Sequence, residues 1–191
     1  TASGLASSAS GAAALVAATW SLCTDSQDFQ PVLDIIRKGS GSAPRSVLGG
    51  LVELNKDTGH VSQISSPQRW PLSMVIVQLS DGPKNTSSRD GMRLTQETSP
   101  YYQAWVDAHP TDLRHARAAI DGKDLQALGT VMERSTMRMH ACMLAADPPL
   151  IYWNERTLAV IAEVLALRKS GVGAWYTMDA GPHVKILCEP K

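Results

Sequence analysis

The sequence predicts an α+β fold, with helices gathered on one face of a mainly antiparallel sheet. Three observations lead there. Branched, apolar runs of strand character stand at VLGGLVELN and SMVIVQLS (73–80), and GAWYTMDAGPHVKILCEP reads as strand, tight turn, strand. Long stretches before and between them carry apolar residues at helical spacing. The order helix, strands, helices, strands lacks the regular strand–helix alternation that a parallel sheet needs.

The first helix is expected over 8–22, where alanines follow a serine-rich start. A second, VLDIIRKGSGS, ends where glycine follows a basic last turn, at 39 and 41. Residues 55–59 form a turn between the two strand runs. From Ser99 onward three or four amphipathic helices are expected at 101–108, 111–121, 123–145 and 155–169. Their breaks fall at Pro110, Gly122 and Pro148–Pro149.

Hydrophobic residues make up 43% and charged residues 19% of 191, enough to bury a core in one good-sized domain or two small ones. Lys plus Arg number 18 and Asp plus Glu number 18. No overall field therefore draws the chain to nucleic acid or to an anionic membrane. Cys23, Cys142 and Cys188 are far apart and form no CxxC pair, which argues against a disulfide framework or zinc and for a reducing, cytoplasmic setting. No apolar run is long enough to span a bilayer, and no secretory signal is visible at the start.

Four segments place small polar and charged residues where a simple core needs none. In GLASSAS, glycine and successive small residues leave amide groups uncovered at a helix start, a natural seat for phosphate. An ordinary N-cap accounts for the same residues. In KGSGSAPRS (38–46), Ser40, Ser42 and Arg45 project from a loop of little bulk, and a guanidinium can grip a phosphate or a carboxylate with two bonds. A flexible surface loop would look alike. In DGPKNTSSRDGMR (81–93), Lys84, Ser88, Arg89 and Arg93 follow a strand directly, where rigid scaffolds present sites, though a solvated turn is the plainer account. In TMDAGPH (177–183), Asp179 stands at a tight bend, where an aspartate can also merely cap its own backbone. His140, within MRMHACML, and the methionines around it read as core packing. The five tryptophans are scattered and form no stacking array.

Taken together, TASGLASSASG, GSGSAPRSVLGG, SSRDGMRLTQETSPYY and YTMDAGPHVKIL resemble the diphosphomevalonate decarboxylases of the GHMP kinase superfamily, in that family's order and at about its spacing. The resemblance covers nearly the whole chain. It implies the family's reaction, in which ATP with magnesium converts diphosphomevalonate to isopentenyl diphosphate, carbon dioxide, ADP and phosphate. It also implies a two-layer GHMP-kinase-like fold, with residues 1–70 ending the N-terminal domain and 71–191 forming the C-terminal one. By the same resemblance, Ser7 and Ser8 fall on the phosphate loop that orients ATP, and Lys84 faces the nucleotide phosphates. Ser40, Ser42 and Arg45 hold the substrate's diphosphate and carboxylate ends. Ser88 and Arg89 touch substrate and transferring phosphate, and Asp179 is the catalytic acid–base group beside the 3-hydroxyl. Asp179, Arg45 and Ser88 are the expected catalytic set; no metal ligand is assigned.

The chain departs from the family at His183, where asparagine usually follows DAGP, and carries Pro44 at a variable position of the GSGSA-x-R motif. Family members have a longer N-terminal portion, with a lysine and a tyrosine near the substrate, and they continue past residue 191. The resemblance thus implies that strands of the fold precede residue 1. Family members are commonly homodimers. Three alternatives stay open: a phosphomevalonate decarboxylase, a mevalonate-type kinase of the same superfamily, and a non-catalytic anion-binding domain.

Overall fold

The structure is a computed structural model that describes residues 7–26, 28–80, 82 and 86–190, with the side chains of Ser7 and Ser8 excepted. Two compact units make up the chain, Ala6–Pro71 and a larger one from Leu72 onward.

The smaller unit opens with α1 (Ser7–Cys23), followed by a 3-10 turn, α2 (Leu33–Gly39) and a second 3-10 turn at Ala43–Ser46. Ala9, Ala13, Val16 and Trp20 recur every three or four residues, so one stripe of α1 faces Val32, Leu33, Ile36, Ala43 and Val61. Strands β1 (Leu51–Leu54) and β2 (Val61–Ser65) pair antiparallel. The turn expected at 55–59 joins them, with the Asn55 Oδ1 accepting from the amides of Asp57 and Thr58 at 2.9 Å. β2 carries no apolar alternation: VSQIS buries Val61 and Ser65, and pairing with β1 rather than intrinsic preference makes it a strand.

The larger unit holds β3 (Ser73–Val77), α3 (Ser88–Thr98), α4 (Tyr102–Gly122), α5 (Leu125–Leu144), α6 (Glu155–Lys169), β4 (Ala174–Thr177) and β5 (Val184–Cys188). Its sheet has the order β3–β5–β4, and both pairings are antiparallel. Helices α5 and α6 pack on β4, around Val164, Ala174, Tyr176, Met178 and Val184.

Two expectations are corrected here. The segment 81–93 is not one loop, because α3 begins at Ser88. Ser87 Oγ accepts from the Asp90 amide at 3.1 Å and donates to the Asp90 carboxylate at 2.6 Å, a helix-start signal hidden inside a run of charges. Nor does the chain break at Pro110. Helix α4 runs through it to Gly122, although an internal proline costs about 3 kcal/mol. Two residues on, buried Asp112 accepts from Arg134 at 2.8 Å and from Arg138 at 2.6 Å, both on α5, and this clamp holds the second half of α4 in place.

One stripe of α5 is spelled out along β4. Gly129 lies against Trp175, and Glu133 accepts from the Tyr176 amide at 3.0 Å. The Thr136 hydroxyl bonds that of Thr177 at 2.8 Å, and His140 lies beside the backbone of Asp179. The helix positions advance by four, three and four, which is one face. Ten or so residues of helix at 1.5 Å each match four or five of strand at about 3.3 Å, so the two elements keep pace. The stripe ends at the bend that carries the candidate acid.

Candidate active site

Asp179 sits in the bend between β4 and β5, and its side chain is 55% exposed while Met178, Ala180 and His183 around it are buried. Four contacts fix the bend without using the carboxylate. The Gly181 amide donates to the Asp179 carbonyl at 2.8 Å. The Thr157 hydroxyl, in the first turn of α6, donates to the Pro182 carbonyl at 2.8 Å. The Leu79 amide donates to His183 Nδ1 at 3.0 Å, which puts that ring's hydrogen on Nε2. His140 supplies the fourth, from α5. A rigid backbone thus presents one acidic side chain outward, the arrangement a general base needs. Its Oδ2 pairs with the Lys185 ammonium on β5.

Ser88 and Arg89 occupy the first turn of α3, both exposed. The Tyr152 hydroxyl lies 3.4 Å from the carbonyls of Thr86 and Ser87, just ahead of that turn. Burial, and behind it the Asp90 charge, pushes the Tyr152 phenol upward from its ordinary pKa, so it remains a donor. Only glycine fits beneath it: a Cβ on Gly91 would fall 2.2 Å from the Tyr152 oxygen. The next two residues serve the other half of the site. Trp153 packs against His140 with the rings tilted by 43° and their centroids 4.9 Å apart, and Asn154 caps α6 by accepting from the Thr157 amide at 2.9 Å. The stretch Tyr152–Trp153–Asn154 therefore braces both the α3 start and the Asp179 bend.

In the smaller unit, Ser40 ends α2, its amide donating to the Ile36 carbonyl at 3.2 Å. Ser42 precedes the 3-10 turn whose Ala43 and Pro44 are buried and whose Arg45 is exposed. Burying Ala43 and Pro44 leaves the neighbouring serine and guanidinium facing outward, and Arg45 has no ion-pair partner among the described residues. The stretch is a built turn rather than a slack loop. Helix α1 begins at Ser7 with no acidic residue in its first turn, so its positive end is not neutralised there. The Ser7 and Ser8 side chains, and Lys84 entirely, lie outside the described residues.

Lys185, Thr157, Tyr152 and His140 escaped the sequence-level reading of the site. A lysine inside the apolar run VKILC was the one available signal. The others act through long-range contacts that no local pattern announces. His140 is 2% exposed, and burial pulls its pKa from 6.5 to about 4, against smaller upward pulls from the Asp179 backbone bond and charge. The folded ring is thus neutral while the unfolded one takes up a proton below 6.5. The stability from this group is present above pH 6.5 and is lost as pH falls towards 4. Between pH 7 and pH 5 the loss is about 2 kcal/mol. Thermal unfolding of the wild type beside His140→Gln over that range checks it: the variant should lack this part of the slope, and parallel curves would remove the assignment.

Comparisons with known proteins show the family. A family model for the mevalonate 5-diphosphate decarboxylase C-terminal domain matches residues 74–191. A model for the diphosphomevalonate decarboxylase-like N-terminal domain matches residues 1–65. The diphosphomevalonate decarboxylase of Candida albicans is 36% identical over 97% of this chain and 54% of its own length. The mevalonate diphosphate decarboxylase of Staphylococcus aureus superposes with a TM-score of 0.87 at 40% identity, over 97% of this chain and 58% of that one. A structure described as MDDEF in complex with MVAPP, AMPPCP and magnesium has a TM-score of 0.87 at 41% identity, over 97% of this chain and 58% of that one. The chain spans about half the length of the curated relatives it matches. With one domain model covering well over half of its residues and the second adjoining it in order, this chain belongs to the diphosphomevalonate decarboxylase family.

Proposed function

We propose that this chain carries part of the active site of an ATP-dependent decarboxylase acting on (R)-5-diphosphomevalonate and yielding isopentenyl diphosphate, carbon dioxide, ADP and phosphate. The observation that carries the reading is the Asp179 bend, a half-exposed carboxylate on a backbone held from four sides. Residues 1–70 are then the end of the N-terminal domain and 71–191 the C-terminal domain, a division supported by the two family models.

A tertiary alcohol is a poor nucleophile, so Asp179 takes the 3-hydroxyl proton as that oxygen attacks the terminal phosphorus of ATP and ADP leaves. The C3–O bond then breaks and releases phosphate. The electron pair of the bond to the carboxylate forms the new double bond as carbon dioxide departs, and Asp179 steadies the cationic character at C3 in between. Ser88 and Arg89 meet the transferring phosphate at the positive end of α3. Ser40, Ser42 and Arg45 hold the substrate's anionic ends, and Ser7, Ser8 and Lys84 the nucleotide phosphates. ATP arrives as its magnesium complex. Among the described residues no group of three or more His, Cys, Asp or Glu could hold an ion.

No described helix is long and apolar enough to cross a membrane, and Cys23, Cys142 and Cys188 are unpaired. A cytoplasmic setting and a homodimer complete the proposal. The test is to measure ADP and carbon dioxide together, using the full-length protein with ATP, magnesium and diphosphomevalonate. Equal yields of the two are expected. ADP without gas would favour a mevalonate-type kinase, faster turnover of the monophosphate a phosphomevalonate decarboxylase, and neither product an anion-binding domain.

A further inference from the structure

Lys185 has no reason to be where it is unless the Asp179 carboxylate needs it. It lies on β5, the central strand of its sheet, opposite Ile76 on one side and Thr177 on the other. Its neighbours along the strand are Val184, Ile186 and Leu187, and its side chain is only 15% exposed. A cation drawn that far from water must be paired, and its partner is Asp179 Oδ2. The pair is lopsided. The lysine is covered, the aspartate is open, and Asp179 Oδ1 has no partner among the described residues. One carboxylate oxygen is spent on an anchored cation and the other faces outward.

We propose that Lys185 is a positioning residue that holds the Asp179 carboxylate in one rotamer, with Oδ1 turned to the substrate hydroxyl. This rests on the reading of Asp179 as the base. The bend does not need the lysine to stand, since Gly181, Thr157, His183 and His140 hold its backbone. The ionisable groups facing Asp179 are few. His140 comes from α5 and His183 from the bend itself, and both turn a ring to backbone. Glu133 of α5 and Arg168 of α6 pair with each other three residues back, at Tyr176. β3 places the apolar Ile76 opposite Lys185. Among the described residues only the lysine contacts the carboxylate itself.

Lys185→Met in the full-length protein should lower kcat about 100-fold, the range general-base catalysis supplies, with KM for both substrates within about twofold. Lys185→Arg should recover most of the rate, and methylammonium added to Lys185→Ala should recover part. In an Asp179→Asn background the lysine substitution should cost nothing more. Wild-type kcat in Lys185→Met while Asp179→Asn collapses would overturn this inference and leave the base intact. Equal activity of Asp179→Asn and wild type would remove the base and the inference together. A raised KM with unchanged kcat would make Lys185 a substrate contact instead. If Lys185→Met does not fold, Lys185→Gln keeps length and polarity without charge, and the same split is read from it.

Discussion

Asp179→Asn in the full-length protein is expected to slow carbon dioxide release by about 1,000-fold or more, some 4 kcal/mol of barrier, while diphosphomevalonate still binds. The amide has the shape of the carboxylate but cannot take the hydroxyl proton, nor balance positive charge at C3. The scaffold should survive the change, because every hydrogen bond that shapes the bend goes to backbone or to His183 rather than to the carboxylate. The unfolding temperature should nonetheless fall, because the largely covered Lys185 ammonium loses its carboxylate partner; retained binding of diphosphomevalonate is what separates lost chemistry from lost structure. Binding by titration and rate by gas release are the two measurements. Equal rates in variant and wild type would defeat the assignment of Asp179 as the base.

How much of this stood in the sequence follows from where each signal lies. The DAGP bend was legible because its own residues make it: glycine and proline shape the turn, and apolar strands flank it. The fold class was legible for a similar reason, since α5 and α6 carry their apolar spacing over fifteen or more residues. Pro110 misled because the force that keeps α4 whole comes from Arg134 and Arg138, more than twenty residues away, acting on Asp112. α3 was missed because Gly91 and Thr95 form its buried face, and neither is an apolar marker. Lys185 and Thr157 were missed for a third reason. Each looks ordinary alone, and their meaning lies in a partner across the sheet or the helix cap. Locally encoded turns can be read from sequence; the groups that hold a functional side chain in aim come from packing.

The stripe of α5 along β4 makes the closeness of those two elements testable at its far end. A Cβ on Gly129 would stand 2.1 Å from Cγ of Trp175 and 2.3 Å from Cδ2. Those atoms belong to the root of a ring that is 6% exposed, so no free end can swing aside. The ring is also held from behind, where the Arg168 guanidinium lies 5.2 Å from its centroid. That same arginine donates to Glu133 and to the Ala174 carbonyl, so moving Trp175 disturbs the pair that ties α5, α6 and β4 together. Gly129→Ala should therefore destabilise by about 3 kcal/mol, at the upper end of what one added methyl costs in a packed core. For a protein of this size or larger that is roughly 6–12 °C or less in unfolding temperature. Gly122→Ala is the control, because a Cβ there meets nothing within 4 Å. It should leave stability unchanged or slightly raised. If Gly129→Ala unfolds with Gly122→Ala and the wild type, α5 does not approach β4 this closely. The placement of His140 behind Asp179, eleven residues further along the same face, would then lose its footing.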